Sequence, residues 1–275
     1  MKRLICAAVV CCMLMNGACA LAEGPDWPAL FQEAKEAIEQ WLGLPPDGKE
    51  AQGVNKQAVL ERLQAIGIEI TPETLSRYEK GWQAMQKRET RQTETDLFFA
   101  QNILIIQGMG DYNYDTDVWT PTSSQVYSFD AEVYNVGSMY RLFLQGVASI
   151  APGFDYTDAE ESIEEAERQI FPTDSAEDME VYLEEWKALG HMPDEGVTTV
   201  SFRLNGHDYR KELGFRGDWF NEDAISWINE VLEQEGFDGR LYAFFDGGQG
   251  LILIYGSPER AGALGQILEN TPYGL

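Results

Sequence analysis

Positions 199–209 read TVSFRLNGHDY. Val200, Phe202 and Leu204 alternate with Thr199, Ser201 and Arg203, the period of a half-buried strand. Asn205-Gly206 follows. This pair is the strongest short signal for a two-residue hairpin, because a type I′ turn needs positive φ at both central positions. A turn there sets Phe202 opposite Tyr209 on the apolar face. It sets Arg203 opposite Asp208 on the other face, where opposite charges help.

The pattern continues toward the C-terminus. Gly217-Asp218 breaks the second strand. Asn221 then caps a helix, with Phe220 and Ile225 as a hydrophobic staple and Ile225, Ile228, Val231 and Leu232 inward. Gly236 stops it. Positions 240–245 and 251–255 read as two more strands, joined by the loop Asp246-Gly247-Gly248-Gln249-Gly250. Ser257-Pro258-Glu259 opens a last helix. The order ββαββα over 196–275 predicts a four-stranded antiparallel sheet with two helices on one face. LILIY at 251–255 is apolar on both faces, which places that strand centrally.

Toward the N-terminus the period changes. The region 23–155 reads as mainly helical. Leu30, Phe31, Ala34, Ile38 and Trp41 recur at helical spacing, as do Val59, Leu60, Leu63 and Ile66. Thr71-Pro72-Glu73 is a helix start. Positions 97–106 are apolar nearly all round, which predicts a buried helix, and 138–150 carry another. A short strand is expected at 126–129. Positions 156–195 form an acidic connector, in which 157–169 are expected to be helical. The fold class is therefore α+β, a helical N-terminal half followed by the sheet unit, with the regions packing as one body.

The first 22 residues read as a signal peptide. Lys2 and Arg3 are followed by the apolar run 4–15 and by small residues that end at Ala20 and Ala22. Twelve apolar residues are too few for a membrane span, which needs about 20. Gly17-Ala18-Cys19 suits lipid attachment, but Asn16 stands where an aliphatic residue is wanted, so a lipid anchor at Cys19 is not the reading preferred. Cys6, Cys11, Cys12 and Cys19 are all the cysteines, so a chain cut after Ala22 holds neither disulfide nor thiolate. The formal charge of −26 becomes two units more negative on losing Lys2 and Arg3. Such a field repels phosphate backbones and excludes nucleic acid as a partner.

Two groups of residues stand out as candidate sites. Asp111, Asn113, Asp115 and Asp117 alternate, and alternate oxygens in a tight loop can converge on calcium. From Gly110 to Asp115 the pattern resembles the opening of EF-hand and dockerin calcium loops. Thr116 then stands in place of the turn glycine, and Thr122 in place of the acidic last ligand. Calcium is the one cofactor this pattern allows. Tyr112, Tyr114, Trp119 and Tyr134 crowd the same segment beside acids, as on surfaces that bind glycans or peptides.

Three further features read as structure or carry little. The glycines at 247, 248 and 250 read as hairpin-loop chemistry. His191 and His207 are the only histidines. No G-x-S-x-G or H-E-x-x-H pattern is present. The reading is an exported soluble binding or interaction protein, non-catalytic, whose partner is a protein, peptide or glycan. The alternatives are a secreted glycan hydrolase using a carboxylate pair such as Asp115 with Asp130, and a structural cell-surface component. N-terminal sequencing of the exported protein is expected to read Glu23-Gly24-Pro25. An intact Met1 on the exported form would remove the signal-peptide reading.

Overall fold

The computed structural model describes residues 54–87, 93–113, 118–132, 138–165, 188–189, 194 and 196–273. The segment expected to be a signal peptide, the four cysteines and the helix expected at 30–42 lie outside the described residues. The elements in order are α1 (Lys56–Ala65), α2 (Pro72–Lys87), α3 (Asp96–Gly108), β1 (Asp111–Asn113), β2 (Val118–Thr120) and β3 (Tyr127–Asp130). Then follow α4 (Met139–Ile150), β4 (Thr157–Glu165), β5 (Gly196–Leu204), β6 (His207–Phe215), α5 (Asp223–Gln234), β7 (Arg240–Phe245), β8 (Gly250–Gly256) and α6 (Pro258–Leu268). The fold mixes helices with antiparallel sheets.

The hairpin has the register read from its sequence. Phe202 lies opposite Tyr209 and Arg203 opposite Asp208. Asn205 and Gly206 have φ of 52° and 86°, the left-handed pair that a type I′ turn requires. Phe202 and Tyr209 stack at 5.5 Å between ring centroids. The helix starts also hold. Thr71 Oγ1 accepts the Thr74 N–H, and Ser257 Oγ accepts the Arg260 N–H. Asn221 Oδ1 accepts the Asp223 N–H at the head of α5.

The four-stranded sheet does not form. β5 and β6 take β4 as their third strand, and β7 and β8 take β3, giving two three-stranded antiparallel sheets ordered β4-β5-β6 and β3-β8-β7. The expected helix at 157–169 is strand β4 up to Glu165. Its side chains alternate, with Ala159, Glu161 and Ile163 half-buried and Glu160, Ser162 and Glu164 exposed. The open backbone edge of β5 demands a partner, and that demand outweighs the helix propensity of a Glu-rich run. The charges then suit an edge strand, where they discourage further strand addition. The mainly helical N-terminal region also carries the ribbon strands β1 and β2, and β3 stands where the short strand was expected at 126–129.

The two helices of the C-terminal unit flank the sheet β3-β8-β7 on opposite faces rather than sharing one. Leu241, Ala243, Leu251 and Leu253 join a core with α4, α5 and the inner face of β5 and β6. Tyr242, Phe244, Ile252 and Ile254 join a second core with α1, α2, α3 and α6. Because side chains alternate across a strand, β7 and β8 feed both cores at once. β8, apolar on both faces, is the central strand of its sheet, as its sequence implies.

The outer edge of β7 is sealed residue by residue. Asn229 on α5 donates to the Leu241 carbonyl at 2.9 Å and accepts the Leu241 N–H at 2.7 Å. Ala243 exchanges backbone bonds with Tyr273. The Phe245 carbonyl accepts from the Asn270 amide at 3.1 Å. Asn229 is buried and imitates a neighbouring strand. Asn229→Leu leaves one buried N–H and one buried C=O without partners and is expected to lower the unfolding free energy by about 2–4 kcal/mol. Urea unfolding measures this. An unchanged midpoint would mean that water replaces the amide without loss.

Candidate functional site

The ribbon β1–β2 carries the residues singled out in the sequence, and it belongs to neither three-stranded sheet. Tyr112 pairs across it with Trp119, and Asn113 with Val118. Trp119 is an anchor. Its indole N–H donates to the Met109 carbonyl at 2.8 Å, and its ring meets Tyr127 edge-on at 5.5 Å. The ring lies so close over Gly110 that a Cβ there would overlap it. Asp111 accepts from Arg77 at 3.2 Å, an exposed pair worth at most about 1 kcal/mol. Tyr114, Asp115, Asp117 and Tyr134 lie outside the described residues. Met109 and Val118 at the ribbon are 48% and 51% exposed.

The 246–250 loop is a hairpin loop. Asp246 accepts the N–H groups of Gly248 and Gly250 at 2.7 and 3.0 Å, so these donors are spent within the loop.

A second cluster was not read from the sequence. Glu235 stands just past α5, its side chain 6% exposed. One oxygen accepts from Asn205 Nδ2 at 2.8 Å; the other meets His207 Nδ1 at 2.7 Å and accepts from the Tyr209 hydroxyl. Asn205 holds the turn, and His207 and Tyr209 follow at alternate positions of β6, so the hairpin tip grips the end of a helix. A carboxylate is disfavoured at a helix C-terminus, where the dipole is negative, and the three partners offset this. Bonds from Tyr209, then Asn205 and His207, push Glu235 down to about 2 despite its burial. Burial, then Glu235, pushes the Tyr209 hydroxyl up to about 12. The alternation Asn205, His207, Tyr209 was visible, but its partner lies 26–30 residues away along the chain.

Glu235 also lines an open cleft of about 640 Å³. Pro152, Asp238, Gly239, Tyr255 and Ser257 complete much of its wall. The Tyr255 hydroxyl accepts the Gly239 N–H at 2.9 Å, and Ser257 is occupied as the cap of α6. Glu161 is a carboxyl held above the usual range, by burial. It too is committed: it accepts the Tyr140 and Arg141 N–H groups at 2.9 and 3.3 Å, capping α4 from a neighbouring strand. Among the described residues no three His, Cys, Asp or Glu side chains gather as a metal site, and no helix is long and apolar enough to cross a membrane. Comparison of the chain with protein-family models, curated proteins and solved structures gives no match.

The Glu235 cluster sets an acid dependence. Its folded value of about 2 lies below its ordinary 4.5, so the ionised form stabilises the fold. That contribution is complete above about pH 4.5 and is lost as pH falls through about 2. Melting temperatures measured over this range are expected to fall less steeply for Glu235→Gln than for the parent. Parallel curves would show that the cluster does not grip the helix.

Proposed function

We propose that the chain is an exported, non-catalytic binding protein whose contact surface is the β1–β2 ribbon and its flank. The observation that carries this is the ribbon's build. It is separate from both sheets, fixed at its root by Trp119, and presents Val118 and Met109 to solvent. A rigid root with exposed apolar side chains suits a recognition element, because little ordering remains to be done on binding. The strongly negative charge favours a neutral or basic partner.

The hydrolase reading has less support. It needs one carboxyl kept protonated and another free to attack or activate water. Among the described residues, Glu235 is ionised with both oxygens engaged and Glu161 is bound to a helix terminus, while Asp115 of the expected pair lies outside them. A photo-crosslinking residue at position 118 is expected to trap a discrete adduct where the protein is exported, and the same residue at Glu212, on the outer face of β6, to trap none. Identical adducts from both positions, or none from 118, would remove the ribbon from the contact surface.

A further inference from the structure

The hairpin tip that grips Glu235 contains a reactive pair. In Asn-Gly sequences the backbone nitrogen of the glycine, once deprotonated, can attack Cγ of the asparagine. The new N–C bond closes a succinimide ring, and Nδ2 leaves as ammonia with the proton. Water then opens the ring at either carbonyl, giving aspartate or isoaspartate. One water enters and one ammonia leaves, and no redox partner is needed. Asn205 and Gly206 are both exposed, and a Cβ at Gly206 would meet nothing within 4 Å, so the turn is uncrowded at the glycine. Against this, the bond to Glu235 holds the Asn205 carboxamide on the helix end.

We propose that Asn205 is a deamidation site gated by the Glu235 cluster, and that the product releases the hairpin tip from the end of α5. The carboxamide must leave Glu235 before Gly206 can attack it, so the cluster slows the reaction. Once formed, aspartate places a carboxylate where a donor stood 2.8 Å from Glu235, and like charges at that separation repel. Isoaspartate adds a backbone atom to a two-residue turn whose flanks, Leu204 and His207, are paired directly. That register cannot absorb the extra atom. Either product removes a donor from a residue that also forms the cleft wall, so the loosened segment is 235–239.

Peptide mapping by mass spectrometry tests the gate. The folded parent, the Glu235→Ala variant and the urea-unfolded parent are held in mildly alkaline buffer and sampled over time. Position 205 is expected to gain the deamidation mass ahead of Asn113 in the folded parent, and more slowly there than in the unfolded chain. In Glu235→Ala it is expected to react about tenfold faster than in the parent, the factor that losing one hydrogen bond to a charged group gives an opening equilibrium. Equal rates with and without Glu235, or no lead over Asn113, would overturn the proposal. If Glu235→Ala does not fold, Asn205→Asp is compared with Asn205→Gly, since both tolerate the turn and both lack the amide. The aspartate variant is expected to melt several degrees below the glycine variant. Coincident melting would overturn the release step.

Discussion

Strand β8 must be dry on both faces. Leu251, Ile252, Leu253 and Ile254 are each almost wholly buried, two toward one core and two toward the other. A strand of this kind cannot sit in a sheet with one face in water, because each exposed aliphatic side chain would forfeit about 1.5–3 kcal/mol of transfer free energy. The sheet β3-β8-β7 is therefore a middle layer, with α5 and α4 on one side and α6 and α3 on the other. The opposite placement of α5 and α6 is a direct result: two helices on one face would leave half of β7 and β8 uncovered.

A middle layer only three strands wide has its edges close to the cores, and the two sheets protect their edges differently. β7 is closed by a side chain, a backbone segment and an amide, from Asn229, Tyr273 and Asn270. The other sheet relies on charge: β4 carries Glu160 and Glu164 outward on its edge, and the outer face of β5 and β6 adds the Arg203–Asp208 pair. That second sheet keeps a solvated face, so its strands alternate, and alternation is what makes a strand legible in sequence.

This difference explains which parts of the fold could be read. The 199–209 hairpin is local: its turn, pairing and faces all lie within eleven residues, and each agrees with the others. The central position of β8 was legible because apolar residues on both faces permit few alternatives. The choice of third strands was not legible. β3 and β4 reach their partners across long stretches of chain, and β4 presents alternation built from Ala159, Glu161 and Ile163, in which a glutamate occupies an inward position. Glu161 points inward because the first N–H groups of α4 need an acceptor that the cap residue Ser138 does not provide by its side chain. The inner face of β4 thus contains a carboxylate for a tertiary reason, which no period in the sequence reveals. At the candidate site, the crowding of aromatics in 111–134 was legible, but the division of labour was not. Trp119 and Tyr127 are consumed by packing, which a ring count cannot distinguish from a binding surface.

The carboxylates also divide by environment rather than by density. Asp246, Glu161 and Glu235 each accept two or more hydrogen bonds from a loop, a helix terminus and a hairpin tip, so three acids of a heavily acidic chain act as assembly points. Their value is geometric: each joins segments that are remote or irregular and whose donors would otherwise lack acceptors. Most other acids of the described sheets face solvent, where a screened charge contributes little to stability but a summed field still acts over about 10 Å. Under the proposed function, a partner approaching the β1–β2 ribbon would meet that field first, and only then Val118 and Met109. Charge would then select the class of partner by repelling anions, and the apolar side chains at the ribbon would supply the affinity that charge alone does not.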